Sequence, residues 1–418
     1  MKLQMKSRLG LMMFLEYFVW GSWYVTISTW LSSSLHFTGE QVGIVGGATG
    51  VGAIVAPFFV GLVADRYAAT EKILGCLHLT GAILLLAASR QTGFPALYTI
   101  MLLYCLCFMP TIALTNSLSF RQMQDPKQEF GPIRVLGTAG WIVAGLFIGS
   151  LGLEATHHPV EIAAACSVLM GLYCFTLPHT PPLARGQTFS VGKLFPKEAL
   201  TLLKERSMAV FAIASLLICI PLQFYYAFTD LYLNQSGVRD AAGKMTGGQI
   251  SELFCMLLIP WFFRRLGAKY MLVTGMFAWA ARYALFAYGN AGPRVWMLWL
   301  GILVHGVCFD FFFVTGQIYI DRKAAPDLRA AAQGLMSLIT YGLGMFVGSW
   351  VSGAVVGHYG QVAKDGALLY DWRPIWLWAG ALSAVVLLGF LFTFSDKEDA
   401  SEPVVSADAG EALPGAVI

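Results

Sequence analysis

Apolar runs of roughly twenty residues follow one another along almost the whole chain, and every second connection between them is basic. A chain built this way has little choice but a bundle of helices in a bilayer, because about 20 apolar residues are what one helix needs to cross the hydrocarbon core. Composition points the same way, with 57% hydrophobic and 12% charged residues, against about 45–50% and about 25% in soluble domains. The 418 residues give room for a dozen crossings, expected at 11–31, 42–63, 72–90, 96–119, 132–152, 160–177, 209–234, 246–264, 269–288, 294–319, 329–357 and 374–395. Lys2, Lys6 and Arg8 precede the first run as they would in a secretory signal. That run is too long for one, however, and continues through Trp20, Trp23 and Tyr24 without a small-residue cleavage site, so it reads as an uncleaved span.

Placing both termini in the cytoplasm puts twenty of the 27 Lys and Arg residues on that side and six outside, with Arg282 inside the ninth span. This is a strong positive-inside bias, and it fixes the orientation. The chain divides at the polar, proline-bearing stretch PHTPPLARGQTFSVGKLFPKEALTLLKERS. Residues 1–178 are expected to form an N-terminal six-helix bundle, 179–208 a cytoplasmic linker, 209–396 a second six-helix bundle and 397–418 a disordered acidic tail. Basic loops recur at the same place in each half, as GLVADRYAATEK and FFRRLGAKY, an internal repeat of the kind that six-plus-six transporters carry. The net charge of +3 is too small to suggest a nucleic-acid partner. Eight cysteines lie within apolar runs without metal-ligand spacing, and no metal or cofactor is expected. Neither a nucleophile–base pair, a metal-binding pair nor a phosphate loop occurs within the spans, which argues against an enzyme or an ATP-driven pump.

The ionisable residues inside spans carry the functional reading, since a charge at bilayer depth is costly unless it faces protein or a wet cavity. Asp310 stands among phenylalanines in HGVCFDFFFVTG, and Glu252 lies three residues after Gln249. Arg134, Thr138 and Trp141 are spaced four and three apart, and Gln223 and Tyr226 three apart, so each set shares a helix face. A flat ring beside an amide suits a nucleobase, and a carboxylate accepts hydrogen bonds from ribose hydroxyls; a sugar would use the same groups. Holding a charge among phenylalanines is unfavourable, which suits a group that binds a proton on one side and releases it on the other. Asp310 is the first candidate for that proton, then Glu252, then Glu16, which sits one turn before Trp20 either lining a cavity or reaching back to the membrane surface.

Gly61, Asp65, Arg66 and Lys72 resemble the G-x-x-x-D-R loop signature of the major facilitator superfamily, in which that loop ties helix ends together. The stretches FVWGSWYVT, MPTIALTNSLSF, PIRVLGTAGWI, GGQISELFCMLLIPWF and HGVCFDFFFVTG resemble the nucleoside:proton symporter family, closest to its YegT-like branch, over about 11–395. The resemblance implies an all-α polytopic membrane protein of twelve transmembrane helices in two pseudo-symmetric six-helix bundles. It also implies substrate contacts at Arg134, Thr138, Gln223, Gln249, Glu252, Phe309 and Asp310. Three further site positions depart from better-known members, with Trp141 for Phe, Tyr226 for Asn and His305 for Tyr. The implied activity is proton-coupled nucleoside import by a monomer in a bacterial inner membrane. A transporter of another small polar solute, such as a sugar or sugar acid, is the alternative, and a non-transporting membrane protein the third possibility.

Overall fold

A bilayer core offers no water to satisfy a peptide group, so each apolar run must close its hydrogen bonds within itself. The computed structural model describes residues 3–60, 63, 66–182, 197–326, 328–364 and 366–395, and the runs are helical. In order they are α1 (Leu3–Trp23), α2 (Ile27–Ser33), α3 (Gly39–Phe59), α4 (Thr70–Ser89), α5 (Phe94–Gln122), α6 (Pro126–Ser150) and α7 (His158–Cys174). The second half follows with the short α8 (Lys197–Thr201), then α9 (Arg206–Gln235), α10 (Ala241–Tyr288), α11 (Val295–Leu303), α12 (His305–Phe309), α13 (Thr315–Lys323), α14 (Arg329–Ser337), α15 (Met345–His358) and α16 (Trp372–Thr393). Eight segments among the described residues are long and apolar enough to cross a membrane. The twelve expected passes are consistent with these once α1 plus α2, α7 and the two arms of α10 are added.

The departures from uniform rods have local causes. The first span begins at Leu3 rather than residue 11 and breaks at Tyr24–Thr26 before resuming as α2. The expected helices 246–264 and 269–288 run together as α10 and bend at Gly267, whose φ of 68° and ψ of 175° only glycine adopts without strain. The tenth pass contains a wide π turn over Asp310–Val314 and the eleventh another over Leu338–Gly344. Strands were not expected, yet β1 (Gly360–Val362) and β2 (Leu368–Tyr370) pair as a small antiparallel hairpin between α15 and α16. Of the signature loop, Arg66 and Lys72 are described, whereas Gly61 and Asp65 lie outside the described residues, as do most of the linker, 183–196, and the tail, 397–418.

Within the first half α1 packs on α6 and α7, and α4 on α5 and α7; within the second, α10 packs on α12 and α16, and α9 on α15 and α16. Aromatic side chains such as Trp23, Tyr104, Trp279 and Trp376 fill the interior, while Ile213, Leu257, Phe277 and Phe392 stand exposed on the outside. Such an outer apolar surface suits lipid rather than water.

The halves meet chiefly at the end of the molecule far from the N terminus, through α3 with α15, α6 with α10 and α2 with α9. The first pair touches backbone to backbone: a Cβ on Gly43 would lie 2.5 Å from the Ser349 carbonyl oxygen and 2.6 Å from the Gly353 Cα. In the second, a Cβ on Gly145 would lie 2.7 Å from the Thr246 methyl. In the third, the Thr29 hydroxyl donates to the Asp230 carboxylate at 2.5 Å.

Candidate functional site

Midway along the interface, α1 and α6 face α9, α10 and α12 across a lining of aromatic rings. From the first half, the Arg134 guanidinium lies over the Tyr17 ring at 4.1 Å from its centroid. Trp141 meets Trp20 edge to face at 5.5 Å and Tyr24 at 6.1 Å. Thr138 is partly buried on the same face of α6. Tyr24 spans the gap: its ring lies 5.9 Å from that of Tyr226, and its hydroxyl is within hydrogen-bond reach of Gln223 and Thr49.

From the second half, Gln223 is buried and its amide donates to the Met345 sulfur at 3.3 Å. His305 is fully buried, stacked 5.0 Å from Tyr225 and set edge-on to Tyr226 at 6.1 Å. Its Nε2 lies 3.8 Å from the Glu252 carboxylate, too long for a hydrogen bond but close enough for an ion pair when the ring is charged. Gln249 is buried one turn before Glu252. Phe309 packs between His305, at 6.0 Å, and Phe313, at 5.1 Å.

Asp310 opens the π turn and is fully buried, and neither of its carboxylate oxygens has a hydrogen-bond partner among the described residues. It and Glu252 act on each other electrostatically, and Arg134 acts on Glu252 from the opposite half. An uncompensated buried carboxylate is costly as an anion. The arrangement sets two carboxylates, Glu252 and Asp310, close enough to act on each other inside the second half.

Eight of the ten expected contact residues are thus linked to one another or to Tyr17 and Tyr24 at this interface, and Thr138 and Gln249 stand on the same helices as Arg134 and Glu252. Glu16 lies apart from them. It is fully buried inside the first half, where His78 Nε2 lies 2.9 Å from one carboxylate oxygen and the Thr111 hydroxyl donates to the other at 2.6 Å. His78 Nδ1 in turn meets the Ser167 hydroxyl at 3.1 Å. Both positions read for Glu16 from sequence, cavity wall and membrane surface, are therefore corrected to a closed network across four helices. Nearby in the first half, Trp23 donates to the Tyr104 hydroxyl at 3.2 Å.

Sequence reasoning missed Tyr17, Tyr24 and Tyr225. Tyr17, Trp20 and Tyr24 recur at spacings of three and four along α1 and into the turn that follows it, which was the available signal. The consecutive rings of α9 diverge: Phe224 stacks on Trp378 at 5.9 Å, Tyr225 on His305, and Tyr226 turns to Tyr24.

The description "Nucleoside H+ symporter" matches residues 1–399. The putative nucleoside transporter YegT of Escherichia coli is 38% identical over 403 residues, 94% of each chain. The nucleoside permease NupG of the same organism is 33% identical over 410 residues, 94% of this chain and 97% of its own. The crystal structure of NupG superposes with a TM-score of 0.86, covering 94% of this chain and all of that one. The correspondence runs through both halves and the interface between them, and this chain belongs to the nucleoside H+ symporter family, integral membrane transporters with the major facilitator fold.

Proposed function

We propose that this protein imports nucleosides by proton symport through alternating access, as a monomer in a bacterial inner membrane with both termini in the cytoplasm. The observation that carries the reading is the pairing of Glu252 and the unpartnered Asp310 opposite Arg134, at the one level where the two halves face each other across rings and amides. The two six-helix bundles rock about this level. With α3 against α15 and α2 against α9, the outer side is shut in this conformation.

In the cycle, Asp310 takes a proton when the site is open outward. The nucleobase stacks among Trp141, Tyr226 and Phe309, the amides of Gln223 and Gln249 read its edge, and Glu252 accepts from ribose hydroxyls with His305 beside it. Arg134 and Thr138 hold the first-half side of the ligand. Protonation removes the charge that resists desolvation, which allows the outer helices to close over the loaded site. Opening inward rehydrates Asp310, and proton and nucleoside leave together. Of the signature loop, Arg66 and Lys72 brace the cytoplasmic helix ends during the exchange.

The test is counterflow of labelled uridine in proteoliposomes, with unlabelled nucleosides and sugars as competitors. Competition by nucleosides alone supports the proposal. Equal competition by sugars transfers the site to another small polar solute, and no flux of any solute refutes transport.

A further inference from the structure

We infer that His157, His158 and Glu161 form a divalent transition-metal site on the outer surface, and that metal bound there holds the outer side of the transporter shut. The site itself does not depend on the transport reading; the effect on gating does.

The residues stand at the start of α7, with His157 just before it, His158 first within it and Glu161 one turn along. His158 Nδ1 lies 3.0 Å from one Glu161 oxygen and His157 Nε2 lies 3.6 Å from the other. Tetrahedral zinc with bonds of about 2.0–2.1 Å holds its ligand atoms about 3.3 Å apart. These contacts end on different oxygens of Glu161, and one ligand atom from each of the three residues lies within 4.8 Å of the others. The His side chains are 41% and 50% exposed, so both rings can rotate to share a metal with one Glu161 oxygen, and water completes the coordination. Imidazole and carboxylate ligands of this kind suit Zn2+ and its transition-metal neighbours rather than Mg2+ or Ca2+.

Arg90 approaches the same carboxylate at 3.3 Å. Its side chain is 74% exposed, so it can swing into solvent, but its charge competes with a cation. The positive end of α7 does the same, and the Glu161 carboxylate offsets it. These opposing charges weaken the affinity for a cation, which suits reversible rather than permanent binding.

Only two residues separate this site from Glu154, whose buried carboxylate accepts a hydrogen bond at 3.4 Å from the backbone N–H of Ala242, at the start of α10 in the other half. The next residue, Ala155, accepts from the Ser34 hydroxyl at the end of the first span. Between them and the site, Thr156 turns back on Leu153 through its N–H and hydroxyl, and its hydroxyl oxygen accepts from the N–H of His158. The loop that presents the ligands is therefore clasped by both halves when the outer side is closed. Opening that side takes Ala242 away from Glu154 and loosens the loop that carries His157 relative to His158 and Glu161 on α7. A metal that binds the ordered loop more tightly than the freed one shifts the equilibrium toward closure by that difference in affinity.

The experiment uses the full chain purified without a polyhistidine tag and Zn2+ as the probe. Isothermal titration should give one site, weakened about tenfold or more in His157→Ala and in His158→Ala and tightened in Arg90→Gln. These side chains are exposed, and an unchanged melting temperature without metal confirms that the variants fold. Zn2+ added outside proteoliposomes should slow uridine counterflow severalfold in the native protein and not in the His157→Ala, His158→Ala pair. Native-like zinc affinity in both single His variants, or no tightening in Arg90→Gln, overturns the site. Stoichiometric zinc with unaltered counterflow overturns the gating role, and the metal-free counterflow rate reports separately on whether the protein transports uridine.

Discussion

Adding a single methyl group at Gly43 should push the outer side of this protein open. The Cβ of Gly43→Ala would stand 2.5 Å from the Ser349 carbonyl oxygen and 2.6 Å from the Gly353 Cα. Comfortable carbon contacts are about 3.5–4.0 Å, so α3 and α15 must part by about 1 Å. Both obstructing atoms are backbone, and no side chain can turn aside to make room. Overpacking of this kind costs about 1–3 kcal/mol, and it falls only on the conformation in which the two helices touch. The gain of about 1 kcal/mol from replacing a helical glycine by alanine is common to both conformations and cancels. The closed-to-open ratio should therefore fall by roughly fivefold to a hundredfold. Spin labels at Thr92→Cys and Gln361→Cys, exposed in the outer loops of opposite halves, would read this as a longer distance by double electron–electron resonance; Cys76, the exposed native cysteine, is first replaced by serine. Gly334→Ala, whose Cβ meets nothing within 4 Å, is the control. An unchanged distance distribution in folded Gly43→Ala would refute the view that this contact holds the outer side closed.

Three further outcomes are expected. Glu16→Gln and His78→Ala should each lower stability by about 1–3 kcal/mol by leaving buried partners unsatisfied, and a double-mutant cycle on the melting temperature should show the two losses to be less than additive; independent losses would dissolve the network. Gln249→Ala should weaken nucleoside binding by about 1–3 kcal/mol, if its amide meets a polar edge of the ligand; calorimetry showing native affinity would remove Gln249 from the site. Asp310→Asn should abolish accumulation driven by an imposed pH gradient while counterflow continues, and Glu252→Gln should impair both. Gradient-driven accumulation in Asp310→Asn would move the proton to another carboxylate.

The membrane class and the helix order were legible because a spanning helix advertises itself locally, by length and apolarity, and because loop charge records orientation independently of contacts. The Gly267 joint was readable in the same way, as a polar, glycine-bearing interruption between two apolar runs. The facing sets on α6, α9 and α10 follow from helical spacing alone. Glu16 shows where such reading stops: its partners His78 and Thr111 lie 62 and 95 residues away, and no spacing rule connects them. The same holds for Asp230, whose bond to Thr29 crosses 201 residues and joins the two halves. Tyr24 escaped notice because its role depends on Tyr226 and Gln223 in the opposite half. Local pattern identifies which face of a helix is polar, whereas the identity of the facing neighbour comes from packing.

The two wide turns, Asp310–Val314 and Leu338–Gly344, lie side by side, with Phe313 of one and Tyr341 of the other 6.2 Å apart. A π turn holds one residue more than the α turns that flank it. Moving that surplus residue along the helix swivels everything beyond it by about 100°, the angle per residue of a helix with 3.6 residues per turn, without breaking the rod. Neighbouring spans that both carry such a surplus at the depth of Asp310 can turn their cytoplasmic ends, Thr315–Lys323 and Arg329–Ser337, while α11 and α15 keep their outer packing. Asp310 is itself the first residue of one of these swivels.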